Sequence, residues 1–154
     1  MKNSIPRYTF YKHKYGSELL VDVVELEYVK KFLAKSTVHT LNYYDITFIT
    51  EGKGAFTVDN QTYEAIPCDV LFSKPGEIRN WDTHHIINGY ALIFEEEFLS
   101  SLFKDSLFVQ HLSFFQIESS SSLLHLSDEL YTRILETLHD IKMEIDLYQQ
   151  GDVH

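Results

Sequence analysis

The sequence predicts a mainly β domain followed by a helical segment, and three observations support this prediction. From about residue 18 to residue 94, short runs rich in Val, Ile, Tyr, Phe and Thr alternate with turn residues. Such runs are typical of antiparallel sandwiches and barrels. Beyond residue 95, apolar residues recur every three or four positions, which is the period of an α-helix. Hydrophobic residues make up 44% of the 154 residues, which is enough for one domain with its own core.

The strands of the β region are delimited by recognisable turns. Asp59-Asn60 suits a two-residue hairpin, because both residue types tolerate a positive φ. Pro75-Gly76 suits a turn in which Pro fixes the first corner and Gly takes the second. The predicted strands lie near residues 19–26, 38–51, 54–58, 62–66, 69–73, 78–82 and 85–94.

The pattern changes to helical after residue 94. Glu95–Glu97 precede the apolar residues of 98–103, as in a short helix whose acidic first turn offsets the helix dipole. Ser127 suits the N-cap of a second, long helix. An apolar stripe along that helix packs either on the chain's own barrel or on a second copy as a dimer seam, and the sequence favours neither. The stripe consists of Leu130, Ile134, Leu138, Ile141, Ile145 and Tyr148.

Charge and cysteine content limit the partners and the compartment. The formal net charge is −10, whereas DNA binding needs a basic surface, so contact with DNA would have to come from another segment. Cys68 is the single cysteine, so no intramolecular disulfide can form. We expect a cytoplasmic protein, since no signal peptide is recognisable, and no membrane association, since no apolar run has membrane-spanning length.

A polar set of side chains shares one face of a predicted strand. Alternation places His39, Tyr43 and Asp45 on the same side, together with Leu41, Thr47 and Ile49. An imidazole, a phenol, a carboxylate and a hydroxyl can line a pocket for a polar ligand. The alternative is a solvated face, which is common in antiparallel sheets.

Arg79 and Trp81 form a second pair that shares a face, on the strand after Pro75-Gly76. A guanidinium can bind a carboxylate with two parallel hydrogen bonds, and an indole can stack on a ring. The alternative is a surface arginine beside a core tryptophan.

Neither a metal site nor a catalytic residue is expected. His84 and His85 are adjacent, so in a strand they point to opposite faces and cannot share a metal. The segment Gly52-Lys53-Gly54 lacks the rest of a phosphate-binding loop. The sequence therefore predicts no cofactor and favours a protein that is not an enzyme.

Several motifs follow one another in a recognisable order. His39 precedes an aromatic-rich strand that ends in Glu51-Gly52-Lys53-Gly54, and a hairpin and a turn at Cys68-Asp69 follow. Pro75-Gly76 then precedes another strand, and the acidic segment Glu95–Phe103 comes after the last one. In this order and spacing, the chain resembles the N-terminal cupin domain of AraC-type transcription regulators over roughly residues 20–150.

The resemblance implies a cupin-like jelly-roll barrel with a C-terminal helical dimerisation segment. It divides the chain into an N-terminal arm (1–17), a barrel (18–94) and a helical segment (95–154), with DNA-binding helix-turn-helix units beyond this chain. It implies a homodimer that binds a small effector, either a sugar or a small organic acid. The interior of the barrel would present His39, Tyr43, Asp45, Arg79 and Trp81 to the effector.

The arm (1–17) and the metal-binding positions leave alternatives open. The arm is basic and aromatic, and we interpret it as a loosely held terminus, although an arm covers the effector in one member of this family. Metal-binding cupins carry further imidazoles and a glutamate where this chain has Leu41, Asp45 and Arg79. The departure favours a sensor over a cupin isomerase, epimerase or dioxygenase with a degenerate metal site. A third alternative is a dimerisation module whose barrel is filled by aromatic side chains.

Overall fold

Two five-stranded sheets and two helices make up the described part of the chain. The computed structural model describes residues 5–8, 21–33, 37–95 and 122–151. The first sheet has the strand order β1-β3-β8-β5-β6, and the second has the order β10-β7-β4-β9-β2. In chain order the elements are β1 (Arg7–Tyr8), β2 (Val21–Glu25), α1 (Leu26–Lys30), β3 (Val38–Leu41), β4 (Tyr44–Gly52), β5 (Gly54–Val58), β6 (Gln61–Ala65), β7 (Asp69–Ser73), β8 (Ile78–Trp81), β9 (Ile86–Phe94), β10 (Leu123–His125) and α2 (Asp128–Gly151).

The two sheets pack face to face around a shared core. Ile49, Leu71 and Ala91 of the second sheet join Phe56 and Trp81 of the first in one buried cluster. Except for β1 and β3, which are parallel, the paired strands are antiparallel. This arrangement confirms the predicted fold class, a mainly β, cupin-like jelly-roll barrel with a C-terminal helix.

The turns form as their residue types predict. The hairpin between β5 and β6 pairs Val58 with Gln61, and Asp59 has a φ of 52°. Gly76 has a φ of 90°, and the amide of Glu77 donates to the carbonyl of Lys74 at 3.2 Å. Gly therefore takes the second corner of that turn, where a side chain would be strained.

The structure differs from the strand predictions in three places. The predicted strand 19–26 ends at Glu25, and a short helix, α1, follows directly. The predicted strand 38–51 is interrupted at residues 42–43, between β3 and β4. Strands β1 and β10 were not predicted, because two or three residues carry no periodicity and their pairing is with distant strands. The helix predicted over Glu95–Phe103 lies outside the described residues, apart from Glu95.

The long helix α2 packs on the outer face of the second sheet. Ser127 caps its first turn, since the Ser127 hydroxyl accepts a hydrogen bond from the amide of Leu130 at 3.2 Å. Buried Tyr131 and Leu138 lie against Val23, Phe48 and Val70 of the sheet. The alternative in which the helix packs on its own barrel is therefore realised in this structure.

The side chains predicted for a dimer seam are mostly covered by the chain itself. Ile134, Leu138 and Ile141 pack against the barrel, and Ile145 is buried. Leu130 is 44% exposed. A contact between two copies of α2 would thus need other side chains besides Leu130, and dimerisation stays a prediction.

Neither helix of the described residues combines the length and the hydropathy of a membrane span.

Candidate ligand-binding site

A cavity of about 550 Å³ lies inside the barrel, between the two sheets and next to α1. Its volume falls in the range of ligand pockets in proteins, which is roughly 300–1,000 Å³. The hypothesis of a barrel filled by aromatic side chains is therefore wrong for this structure.

All five residues predicted to contact a ligand line this cavity: His39, Tyr43, Asp45, Arg79 and Trp81. Strand geometry brings them together. His39 of β3 and Arg79 of β8 are directly opposite each other in an antiparallel pair, so their side chains lie side by side on the inner face. Asp45 belongs to β4 in the facing sheet. Their role in ligand binding stays a prediction.

Arg79 is held in the cavity wall by a buried ion pair with Asp45. The Arg79 Nη1 atom lies 3.0 Å from Asp45 Oδ2, and the two side chains are 5% and 7% exposed. The hydroxyl of Thr47 donates to the other oxygen of Asp45 and lies 3.4 Å from Arg79 Nη2. The guanidinium also lies over the ring of Phe56, 5.2 Å from its centroid. The alternative of a surface arginine is therefore wrong, and the positive charge has a fixed counter-charge within the protein.

His39 and Tyr43 are neutral polar groups at neutral pH. Burial, and after it the neighbouring Arg79 guanidinium, lowers the pKa of His39 to about 4. The Nδ1 atom lies 3.0 Å from the carbonyl oxygen of Thr37, so the neutral ring donates from Nδ1 and leaves Nε2 as an acceptor. Burial, and next the carboxylate of Asp45, raises the pKa of the Tyr43 phenol. Both side chains can therefore form hydrogen bonds with an uncharged ligand.

The cavity also has an apolar wall, which lies beside the polar wall formed by His39, Tyr43, Asp45 and Arg79. Val24 of β2 and Ala91 and Ile93 of β9 face inward, because alternate residues of a strand share a face. Leu26 and Val29 of α1 complete this side. In the second sheet Ile93 lies between Asp45 of β4 and Asp22 of β2, so the apolar and carboxylate side chains are direct neighbours there.

Trp81 borders the cavity but is not a free stacking platform. Trp81 is 3% exposed, and its indole ring stacks on Phe56, with centroids 6.1 Å apart and an interplanar angle of 9°. Phe56 and Trp81 are cross-strand partners in β5 and β8, which explains the stack. A ligand in the cavity would meet the part of Trp81 that Phe56 leaves uncovered.

Besides the apolar wall, two kinds of lining residue were missed by the sequence predictions. Asp22 interrupts an apolar run in β2, and its alternation with buried Val23 could have indicated an inward carboxylate. Tyr8, Tyr28 and Phe32 contribute aromatic rings. No local pattern predicts them, since their positions depend on α1 and on long-range pairing.

The described part of the N-terminal arm is held on the barrel. Strand β1 pairs with β3, and the Tyr8 hydroxyl donates to the carbonyl of Phe32 at 2.8 Å. The Tyr8 ring lies 5.6 Å from the ring of His39. For residues 5–8 the interpretation as a loosely held terminus is therefore wrong.

A second cavity of about 610 Å³ adjoins the first at Leu33 and Trp81. Its other lining side chains are mostly polar and include Lys30, Asn80 and Asp82. Of the predicted site residues it contains Trp81 alone, so the first cavity is the stronger candidate.

The described residues contain no group of three or more His, Cys, Asp or Glu side chains placed to hold a metal ion. The residue opposite His39 on the neighbouring strand is Arg79. Its guanidinium is a cation and cannot bind a metal ion.

Comparisons with known proteins identify the family of this chain. Residues 34–150 match the family described as AraC-like ligand binding domain, which is well over half of the chain. A comparison with curated proteins gave no match. Four chains among solved structures match. One is the vicilin from Solanum melongena, which is 15% identical over 75% of this chain and 39% of that chain, with a TM-score of 0.32. The family match confirms the resemblance noted from the motifs, and the chain belongs to the family of AraC-like ligand binding domains.

Proposed function

We propose that this chain is the effector-sensing and dimerising part of an AraC-type bacterial transcription regulator in the cytoplasm. A small molecule binds in the barrel and controls a DNA-binding domain outside this chain. The observation that carries the proposal is the cavity of about 550 Å³ with its buried polar wall, in a member of the AraC-like ligand binding family. The chain itself is strongly acidic, so we assign DNA contact to another domain.

The second sheet offers a direct route from the cavity to α2. Asp45 and Thr47 face the cavity, whereas Ile46 and Phe48 face the helix, because neighbouring residues of a strand point to opposite sides. Phe48 lies against Tyr131 of α2, with ring centroids 6.4 Å apart. A ligand that shifts β4 therefore also shifts the surface on which α2 rests. To act as an effector, it must bind one arrangement of the chain better than the other.

We assign dimerisation to the outward face of α2. Leu130, Met143 and Leu147 are exposed by 44%, 49% and 53%, and nothing in the described part of the chain covers them. Met143 and Leu147 are one turn apart, so they form a small apolar patch near the end of the helix.

Binding without catalysis is the role that the site supports best. The charged groups of the polar wall pair with each other, and neither His39 nor Asp45 is arranged with the other as an acid–base pair. The competing hypothesis is a cupin enzyme, and the screen described next distinguishes the two.

The proposal is tested by screening small metabolites against the purified chain, with the fluorescence of Trp81 and the melting temperature as signals. Trp81 is the single tryptophan and borders the cavity, so its fluorescence reports on that site. The variant Ala91→Phe places a ring in the cavity, and Thr62→Phe adds the same ring at an exposed strand position as the control.

We expect effector candidates to change both signals in the wild type and in Thr62→Phe but not in Ala91→Phe. Compounds that bind all three proteins equally would reject the cavity as the site. Conversion of a bound compound to a product, seen by mass spectrometry, would support the enzyme instead. Sequencing the gene beyond the codon for His154 tests the regulator itself, and we expect two helix-turn-helix segments with a basic surface.

A further inference from the structure

Arg79 of the polar wall already has a buried counter-charge within the protein. Arg79 directs Nη1 to Asp45 and Nη2 to Thr47, and Asp45 accepts the Thr47 hydroxyl as well. Arg79 Nε has no hydrogen-bond partner among the described residues. A ligand carboxylate could accept from Nε, but it would meet a guanidinium whose charge Asp45 already balances, and full charge pairing would require displacement of Asp45 from β4. Displacement would leave the Asp45 carboxylate buried without its partner, and that is costly in a low-dielectric site.

The charges around the cavity also oppose an anion. Among the described lining residues, Asp22 and Asp45 carry carboxylates and Arg79 carries the guanidinium, while His39 is neutral at neutral pH. Since Asp45 already balances Arg79, an anionic ligand would enter the site without gaining an unpaired positive charge. A cationic ligand would lose its hydration beside the fixed charge of Arg79. An uncharged group loses far less on entering the site.

The apolar wall sets the remaining requirement. Val24, Leu26 and Ile93 can bury hydrocarbon, which contributes about 25 cal/mol for each Å² removed from water. A molecule that is polar on all sides cannot use this wall. A molecule with one polar end and a hydrocarbon body can use both.

We propose that the cavity selects an uncharged, amphipathic ligand, and that Asp45 excludes acids by neutralising Arg79. The polar end of the ligand hydrogen-bonds to the wall formed by His39, Tyr43 and the Arg79–Asp45 pair, and its hydrocarbon or aryl body lies on the neighbouring apolar wall. This inference rests on the proposed function, since it assumes that the cavity is a ligand site.

The test compares three probes of nearly equal shape that differ in charge: 5-phenylpentanamide, 5-phenylpentanoate and 5-phenylpentylamine. Their affinities for the wild-type chain are measured by Trp81 fluorescence and calorimetry near neutral pH. We expect the amide to bind at least about tenfold more tightly than the carboxylate or the amine, which corresponds to about 1.4 kcal/mol. Tightest binding by the carboxylate or by the amine would overturn the inference.

Variants of the ion pair identify the determinant. Asp45→Asn keeps the shape but removes the counter-charge of Arg79, so we expect the carboxylate to become the tightest probe. In the double variant Asp45→Asn, Arg79→Gln both charges are gone, and the amide should again bind best. An unchanged order in a folded Asp45→Asn variant would remove Asp45 as the determinant. If that variant does not fold, the wild-type comparison still decides the ligand class.

Ala91→Phe separates failure of the inference from failure of the proposed function. Tight carboxylate binding that Ala91→Phe abolishes would leave the cavity as a ligand site and reject the exclusion of acids. Absence of binding by all three probes would reject the amphipathic class of ligand. The metabolite screen would still decide whether the cavity binds a small molecule. Binding that persists in Ala91→Phe would reject both.

Discussion

The ion pair between Arg79 and Asp45 illustrates what sequence can and cannot predict at the residue scale. The alternation of side chains along the strands placed both residues in the candidate site, and both line the cavity. Alternation could not predict that they bind each other, because the contact depends on how β4 and β8 face each other across the barrel. The pairing turns a predicted anion-binding arginine into one whose charge is already balanced.

We expect removal of one partner of this pair to destabilise the fold more than removal of both. Arg79→Met leaves the Asp45 carboxylate buried without a counter-charge, which costs about 3–5 kcal/mol of unfolding free energy. The double variant Arg79→Met, Asp45→Leu replaces the pair by apolar groups and should recover a large part of that loss. Urea unfolding of the wild type, both single variants and the double variant gives the coupling energy. Additive losses would show that the pair contributes little.

Acid should destabilise the chain through His39. The pKa of His39 is about 4 in the folded chain, against an ordinary value of 6.5, owing to burial and to Arg79, while Asp45 and the carbonyl of Thr37 oppose the shift. The unfolded chain therefore binds the proton first as the pH falls. Full stability is present above about pH 6.5, and up to about 3 kcal/mol is lost as the pH falls towards about 4. The variant His39→Gln should lack this loss. The difference in unfolding free energy between the wild type and the variant should therefore change by up to about 3 kcal/mol between about pH 6.5 and about pH 4. Parallel pH profiles of the two proteins would contradict the prediction.

At the element scale, the long strands and α2 were predictable and the short elements were not. The periodicity of β4, β9 and α2 extends over many residues, so the sequence alone indicates their existence and their buried faces. Helix α1 has five residues and is held by its packing on the second sheet, which no local pattern encodes. Since α1 lines the cavity, the apolar wall was the part of the site that sequence missed.

The position of α1 depends on Gly89 of β9. A Cβ atom at this position would lie 2.3 Å from the carbonyl oxygen of Phe48 and 2.7 Å from Leu26 Cδ1. We expect Gly89→Ala to destabilise the fold by about 1–3 kcal/mol and to displace Leu26 from the cavity wall. Gly76→Ala is the control, because its Cβ would meet nothing within 4 Å and only the positive φ would oppose it. Chemical denaturation and probe binding should both be impaired in Gly89→Ala, whereas Gly76→Ala should lose stability alone.

At the scale of the whole molecule, the second sheet separates two functions. Its inner face lines the cavity, and its outer face carries α2 through Val23, Phe48 and Val70. Sequence alternation predicted two distinct faces on β4 and placed the polar set of the candidate site on one of them. It could not decide what covers that face, because the stripe on α2 is equally suited to a barrel and to a second copy. The structure assigns the centre of the stripe to the barrel, which leaves a different side of the helix for a partner.

The two sides of α2 should respond oppositely to substitution if the outward side forms the dimer. Leu138 is buried against the sheet, so Leu138→Ala should cost about 2–5 kcal/mol of unfolding free energy without changing the contact between copies. Met143 and Leu147 are half-exposed on the outward side, so Met143→Glu with Leu147→Glu should leave the fold of each copy intact. Light scattering should then find a dimer for the wild type and for folded Leu138→Ala but a monomer for the double variant, since two buried charges per copy oppose association. A double variant that remains dimeric would place the contact elsewhere on the chain, and a monomeric wild type would remove α2 as a sufficient dimerisation element.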